Sequence, residues 1–217
     1  MSLIPKTCVV IPALNCQNTL DAVLAKLPEG LLTVVVDDGS DTPLRAPNVL
    51  RHSKNRGYGA AQKSGYAKAI ALGSERIVLL HGDDQYNTSD TLLLSDALAD
   101  APAVLGSRFL ANPQAIPAWR RLGNRGLTEL ANLRFGTKHT ELHTGSRAFR
   151  AELLRDAPLD MFSDDYLFDQ QLLCHILRSG QTIAERPVRV RYDDAVQSIS
   201  LRRSIRYGMG CVREILR

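Results

Sequence analysis

Apolar and polar positions alternate in blocks along the first hundred residues. Residues 7–11 form a short β-branched run that Pro12 stops, which predicts a buried strand. Asn18 or Thr19 stands where it would cap a helix reaching about Leu27, and Pro28-Glu29-Gly30 closes it. Residues 32–36 repeat the buried-strand pattern until Asp37-Asp38-Gly39-Ser40 ends it sharply. After a polar loop holding Pro43 and Pro47, a weak third strand falls near Val49-Leu50. Small residues at apolar spacing over 57–73 predict a helix lying close against a sheet. Residues 76–80 are a strong fourth strand ended by His81-Gly82-Asp83-Asp84. Residues 88–100 read as helix, and 103–105 as a fifth strand ended by Gly106. Such alternation predicts an α/β fold, a parallel sheet wrapped by helices.

The rhythm then changes. Residues 117–135 read as one helix interrupted by Gly123 and Gly126, and 144–150 as a short Gly-containing piece. Asp164 or Asp165 starts a helix reaching Arg178. Residues 188–192 alternate apolar and charged, as a half-exposed strand does. Residues 200–217 read as a helix with Ile205, Met209, Val212 and Leu216 on one stripe. No repeat and no clean boundary divides the 217 residues. The expectation is one domain over 1–217, with an alternating strand–helix half to about 110, a second half over about 111–192, and a basic amphipathic helix over about 198–217.

Composition narrows the classes. Hydrophobic residues make up 44% and charged residues 23%, as in an ordinary globular chain. No run approaches the roughly 20 apolar residues of a membrane span. No secretory pattern opens the chain, so a cytoplasmic location is expected. Cys8, Cys16, Cys174 and Cys211 have no metal-ligand spacing and read as reduced thiols. The formal net charge is +4, and over 186–217 eight arginines face three acids. Arginine suits phosphates and carboxylates, so an anionic substrate or an anionic membrane surface fits. No nucleic-acid module is visible, so nucleic acid is not expected as a partner.

In an open α/β sheet, ligands bind beyond the carboxyl ends of the strands. Three such ends carry chemistry: Pro12-Ala13-Leu14-Asn15, Asp37-Asp38 and His81-Gly82-Asp83-Asp84. Converging carboxylates favour Mg2+ or Mn2+ held with phosphate oxygens, hence a nucleoside diphosphate. Each Asp-Asp pair taken alone also reads as a turn or a helix cap. Gly57-Tyr58-Gly59 resembles a dinucleotide fingerprint but lacks its third glycine and follows the third strand, so a nicotinamide site is not expected.

The ordered set of segments resembles family 2 glycosyltransferases of the GT-A fold, in the branch of dolichol-phosphate mannose synthase and bacterial polyprenyl-phosphate glycosyltransferases. The matching segments are 9–15, 35–40, 55–60, 82–86, 106–108, 143–149 and 183–188. The resemblance implies a nucleotide-binding half to about residue 110 and an acceptor half over about 111–192, with Pro12, Ala13, Asn15, Asp37, Asp38 and Gly57 lining the nucleotide site. It implies that Asp83 binds the metal, Mg2+ or Mn2+, as the family's DxD acid, and that Gln85, Arg108 and Arg147 face the acceptor or the phosphates. It further implies an inverting transfer of a sugar from a UDP- or GDP-linked donor, with a polyprenyl phosphate or other lipid-linked compound among the acceptors.

Two departures stand out. The first DxD acid is His81 here, which either joins Asp83 on the metal or only packs at the strand end, and the family's usual Glu is Asn15. A hydroxyl acceptor would need a general base, with Asp164 and Asp165 the foremost candidates and Asp169 a weaker one; each of the first two also reads as a helix cap. The 202–206 stretch reads either as an amphipathic helix on anionic lipid at the inner face of the cytoplasmic membrane or as a solvated helix packing its apolar stripe on the domain. The alternatives are a catalytically inactive nucleotide-sugar binder and a nucleotidyltransferase; the latter usually has a Gly-rich basic loop after the first strand, and none is present.

Overall fold

The computed structural model describes residues 6–191 and 201–217. Its strands are β1 (Thr7–Ala13), β2 (Leu32–Asp37), β3 (Val49–Arg51), β4 (Arg76–Leu79), β5 (Ala103–Ser107), β6 (Arg147–Arg150) and β7 (Ile183–Pro187). They form one sheet in the order β3-β2-β1-β4-β6-β5-β7. Neighbours are parallel except at β6, which runs antiparallel to both β4 and β5. The mostly parallel α/β sheet expected from the sequence is therefore present, with one reversed strand that the residue pattern left unassigned.

The helices are α1 (Gln17–Leu24), α2 (Tyr58–Ala71), α3 (Thr88–Leu92), α4 (Ala118–Phe135), α5 (Ala151–Asp156), α6 (Leu167–Arg178) and α7 (Leu201–Leu216). Alternation along each strand gives the sheet two buried faces. On one face Val10, Val36, Leu79 and Phe149 pack with residues of α2, α4, α5, α6 and α7. On the other Val9, Ile11, Val35 and Val104 pack with α1 and with residues 94–98.

Several boundaries differ from the pattern for physical reasons. Cys16, not Asn18 or Thr19, holds the N-cap of α1, and the Thr19 hydroxyl instead donates back to the Cys16 carbonyl at 3.1 Å. The expected helix over 88–100 is capped by Asn87 but tightens after α3 into a 3-10 helix over Leu93–Ala99, where Leu94 and Ala97, three residues apart, are both buried. Gly123 and Gly126 leave α4 unbroken. α6 begins at Leu167, beyond Asp164 and Asp165. The expected strand over 188–192 lies earlier, as β7: its partner β5 stops at Ser107, opposite Pro187, and beyond that, among the described residues, only Val190 makes a bridge, to Tyr86. Tyr192 and Ser200 lie outside the described residues.

α2 lies against the sheet because its inward face is small: Ala60, Ala61, Gly65 and Ala69 are all buried. A methyl group at Gly65 would collide with Val10 Cγ1 and crowd Val36 Cγ2 at 3.1 Å. Gly65→Ala should therefore destabilise the protein by roughly 1–2 kcal/mol in urea unfolding, overpacking outweighing the better helix propensity.

Candidate active site

The site is built at the carboxyl ends of β1, β2 and β4. Asp37 and Asp38 both turn inward there. Asp37 accepts from the Ser40 amide at 2.8 Å and the Leu44 amide at 3.1 Å, and pairs with Arg51. Burial works to raise the Asp37 carboxyl, but the Ser40, Leu44 and Arg51 hydrogen bonds outweigh it and hold the carboxyl below its ordinary range. Asp38 accepts from the Arg56 amide at 3.0 Å and the Gly57 amide at 2.9 Å, and meets His52 Nδ1 at 2.6 Å. His52 Nε2 in turn meets the Ser64 hydroxyl at 2.9 Å. Asp38 thus staples the loop after β3 to the end of β2. Gly57 sits at φ 108, and a side chain there would strike the Asp164 carbonyl.

Asn15 adopts φ 51 and locks the β1 loop to the β2 loop. Its amide donates to Ser40 Oγ at 2.8 Å, and its side chain exchanges hydrogen bonds with Asp41. Beside these loops opens a cleft of about 1170 Å³ lined by residues 14–19, Asp21 and residues 41–45. Pro12 and Ala13 lie at the strand end behind it, paired with Val36 and Asp37. Gly82 brings the chain beyond β4 to the same place: a methyl group there would lie 3.3 Å from Cys16 Sγ and 3.4 Å from Ala13 Cβ.

Asp83 and Asp84 divide their work. Asp84, at φ 56, is paired with Lys26 at 2.6 Å and Arg191 at 3.0 Å. Asp83 accepts from the Gln85 amide at 3.1 Å through Oδ1 and enters no ion pair among the described residues. No group of three or more His, Cys, Asp or Glu side chains is gathered as a ready metal cage among the described residues. The chemistry of the donor set nonetheless fits Mg2+ or Mn2+ held by one carboxylate and completed by phosphate oxygens and water. His81 is otherwise occupied: its Nε2 meets the Tyr58 hydroxyl at 2.7 Å, and its ring abuts Gly145.

His81 lines a second cavity of about 780 Å³ between the sheet and helices α4 and α7. Arg108 and Arg147 also line it, and each already holds a carboxylate. Arg108 donates through both Nε and Nη2 to Oε1 of the fully buried Glu141, whose Oε2 accepts from the Arg108 amide at 2.8 Å, and it also donates to the His143 carbonyl at 2.9 Å. Arg147 donates to the Thr144 carbonyl at 2.8 Å and pairs with Asp169 at 3.1 Å. Burial works most strongly against the Arg147 charge, but Asp169 together with Tyr58, Tyr207 and Tyr66 outweighs it and raises the guanidinium pKa. Asp169 also accepts from Gln62 at 2.8 Å.

Sequence candidates are thus split by the fold. Arg108, Arg147, His81 and Asp169 meet in the second cavity, whereas Asp164, Asp165 and Gln85 do not line it. Asp164 is 56% exposed on its side chain and tied to Lys63 at 2.8 Å, a bond that lowers its carboxyl. Asp165 instead caps its own turn, accepting from the Tyr166 amide at 2.8 Å. Residue patterns missed Tyr58, Tyr86, His143, Trp119 and Tyr207, which share this lining. They come from five separate segments, and no periodicity links them; the single Trp, at a helix start, was the one visible signal.

His143 meets the Tyr207 hydroxyl at 3.1 Å, and its Nε2 is buried without a hydrogen-bond partner. Burial, then the Arg147 and Arg108 charges, push its pKa down to about 3. The folded state therefore excludes a proton that the unfolded chain binds below about pH 6.5. Stability should fall as pH drops from about 6.5 toward 3, by at most about 1.4 kcal/mol per pH unit from this group. His143→Gln should flatten that part of the unfolding-versus-pH curve, measured beside the unmodified protein. Glu141→Ala strands a buried guanidinium and should cost roughly 3–5 kcal/mol in denaturant unfolding.

Comparison with known proteins gives this geometry its context. The Glycosyl transferase family 2 profile matches residues 8–157. A dolichyl-phosphate hexose transferase of Haloferax volcanii is 29% identical over 196 residues, covering 84% of this chain and 82% of that protein. An undecaprenyl-phosphate mannosyltransferase of Micrococcus luteus is 26% identical, covering 82% and 81%. Among solved structures, a glucosyl-3-phosphoglycerate synthase from Mycobacterium tuberculosis, in complex with Mn2+, UDP and phosphoglyceric acid, superposes with a TM-score of 0.72 at 18% identity. It covers 98% of this chain and 78% of that one, a likeness of fold. With strand ends, loops and profile in agreement over most of its length, the chain belongs to glycosyl transferase family 2.

Proposed function

We propose that this protein transfers a hexosyl group from a nucleoside diphosphate sugar to a polyprenyl phosphate, with inversion at the anomeric carbon. The observation that carries this reading is the two-sided site. Asp83 stands at the end of β4, and two residues before it His81 turns into a cavity whose floor holds Arg108 and Arg147. The donor's base and ribose would sit against the loops that Asp37, Asp38 and Gly57 hold in place, with Pro12, Ala13 and Asn15 beside them. Asp83 would hold Mg2+ or Mn2+ with the diphosphate oxygens. The metal supplies neutralisation of the charge that develops on the leaving diphosphate.

The acceptor side favours an ion over a hydroxyl. Among the described residues Asp169 is the one carboxylate lining the cavity, and it is tied to Arg147 and Gln62. A hydroxyl acceptor needs a base in reach, whereas a phosphate is already ionised. Its oxygen would attack the anomeric carbon as the bond to the donor diphosphate breaks. Arg147 and Arg108 would orient it, held rigid by Asp169 and Glu141. The two named relatives, whose names specify dolichyl and undecaprenyl phosphate, support this acceptor class.

Calorimetric titration with UDP and GDP, each with Mn2+ and with EDTA, tests the donor half. One nucleotide should bind in a metal-dependent way, and Asp83→Asn should weaken it roughly tenfold to a hundredfold. Metal-independent binding, or full affinity in Asp83→Asn, would overturn the assignment of Asp83. Transfer of labelled sugar to a short-chain prenyl phosphate tests the acceptor half, and transfer only to hydroxyl compounds would sink it.

A further inference from the structure

The ring of His81 is gripped on three sides. Its Nε2 meets the Tyr58 hydroxyl at 2.7 Å, and the Tyr58 ring stands edge-on to it, 5.5 Å between centres. Tyr86 stands edge-on at 5.3 Å, its own hydroxyl accepting from the Gly145 amide at 2.8 Å. Gly145 closes the third side, where a methyl group would collide with Cε1 and Nε2 of the imidazole. Tyr58 is itself steadied by Tyr166, whose ring stacks on it at 5.4 Å. Packing of this kind holds a side chain in one orientation, as a binding site needs.

Hydrogen-bond accounting then places the ring proton. The Tyr58 hydroxyl has one proton to give, and among the described residues His81 Nε2 is its hydrogen-bond partner. Donation to Nε2 satisfies both atoms, whereas a proton on Nε2 would leave the phenol proton without an acceptor. The neutral ring therefore carries its proton on Nδ1. Nδ1 has no hydrogen-bond partner among the described residues and is not sealed from solvent. His81 is thus a fixed N–H donor with nothing yet to donate to.

Its surroundings select the oxygen. His81 lines the 780 Å³ cavity with Arg108 and Arg147, whereas Asp83 does not line it. A metal ligand needs a bare ring nitrogen turned to the ion. Here Tyr58 takes Nε2, and Nδ1 carries the proton. Arg108 and Arg147 already hold Glu141 and Asp169, so an anion entering the cavity meets guanidiniums whose charge is partly answered. A further N–H donor beside them makes a charge-assisted hydrogen bond to that anion. We propose that His81 donates from Nδ1 to a phosphate oxygen of the acceptor and is not a metal ligand, and that Tyr58 is the positioning residue that sets this tautomer. The inference deepens the acceptor reading above and rests on it for the identity of the anion. A carboxylate in place of His81 would instead repel the phosphate.

Calorimetric titration with a short-chain prenyl phosphate, in the presence of Mg2+ and UDP or GDP, whichever binds, tests the contact. His81→Ala should weaken prenyl phosphate binding about tenfold to a hundredfold, the worth of one hydrogen bond to a charged oxygen. His81→Asn, whose amide N–H falls near the place of Nδ1, should recover most of that loss. His81→Asp should bind more weakly than His81→Ala. Metal-dependent nucleotide binding should stay within about twofold in His81→Ala, which also shows that the site is still built. Nitrogen-15 NMR of the imidazole should find the proton on Nδ1, and Tyr58→Phe should redistribute the tautomers and weaken prenyl phosphate binding severalfold. A merely structural Tyr58 would leave the tautomer unmoved. Loss of metal-dependent nucleotide binding in His81→Ala would make His81 a metal ligand and overturn the proposal. So would a proton found on Nε2, or unchanged prenyl phosphate affinity in His81→Ala. An unmodified protein that binds the nucleotide but no prenyl phosphate would remove the acceptor reading itself, and the His81 contact with it.

Discussion

A guanidinium buried in the middle of the sheet sets the terms for the rest of the structure. Arg147 opens the one reversed strand, opposite Leu79 on one side and Leu105 on the other. A charge this deep must be paired and hydrogen-bonded. Asp169 supplies the pair from α6, and the Thr144 carbonyl takes the Nε proton. Gln62 on α2 reaches the same carboxylate, and Tyr66 holds Gln62 at 2.7 Å. One buried ion pair thereby fixes α2 and α6 to the sheet, and both its members line the 780 Å³ cavity.

The reversed strand also separates two kinds of ground. On its β4 side, parallel strands end in loops that interlock through Asp37, Asp38 and Asn15. Those loops use backbone amides, His52 and Arg51 to saturate their acids, which makes them rigid walls. Just before β6, the segment 141–146 holds Arg108 through Glu141 and the His143 carbonyl, and its His143 ring meets Tyr207 of α7. His81 stands where the two grounds meet, held by Tyr58 on one side and pressed on Gly145. An imidazole there, in place of a carboxylate, leaves Asp83 as the acid available at the β4 end.

Much of this could be read from residues in order. The β-branched runs and the small inward face of α2 are local signals, and each produced the expected element, but the stops at Pro12 and Gly106 did not hold: β1 runs on to Ala13 and β5 to Ser107, because parallel neighbours still pair with them there. The ordered motifs likewise identify the family. The misses have a common cause. β6 and α5 are too short to show a period, and 188–191 has the alternation of a strand but lacks a strand to pair with. The apolar stripe of α7 was legible as a stripe, but its direction was not.

The sequence by itself determined the alternation of elements, the chemistry placed at each strand end and the family, because these depend on neighbours within a few residues. The tertiary structure alone decided which charges are already answered. Asp37, Asp38, Arg108 and Arg147 look free along the chain, yet each finds its partner some 14 to 33 residues away. It also decided that Asp169 rather than Asp164 or Asp165 faces the cavity, and that Ile205 and Met209 face outward. Burial and pairing are properties of three-dimensional neighbourhoods, and no local pattern of residues encodes them.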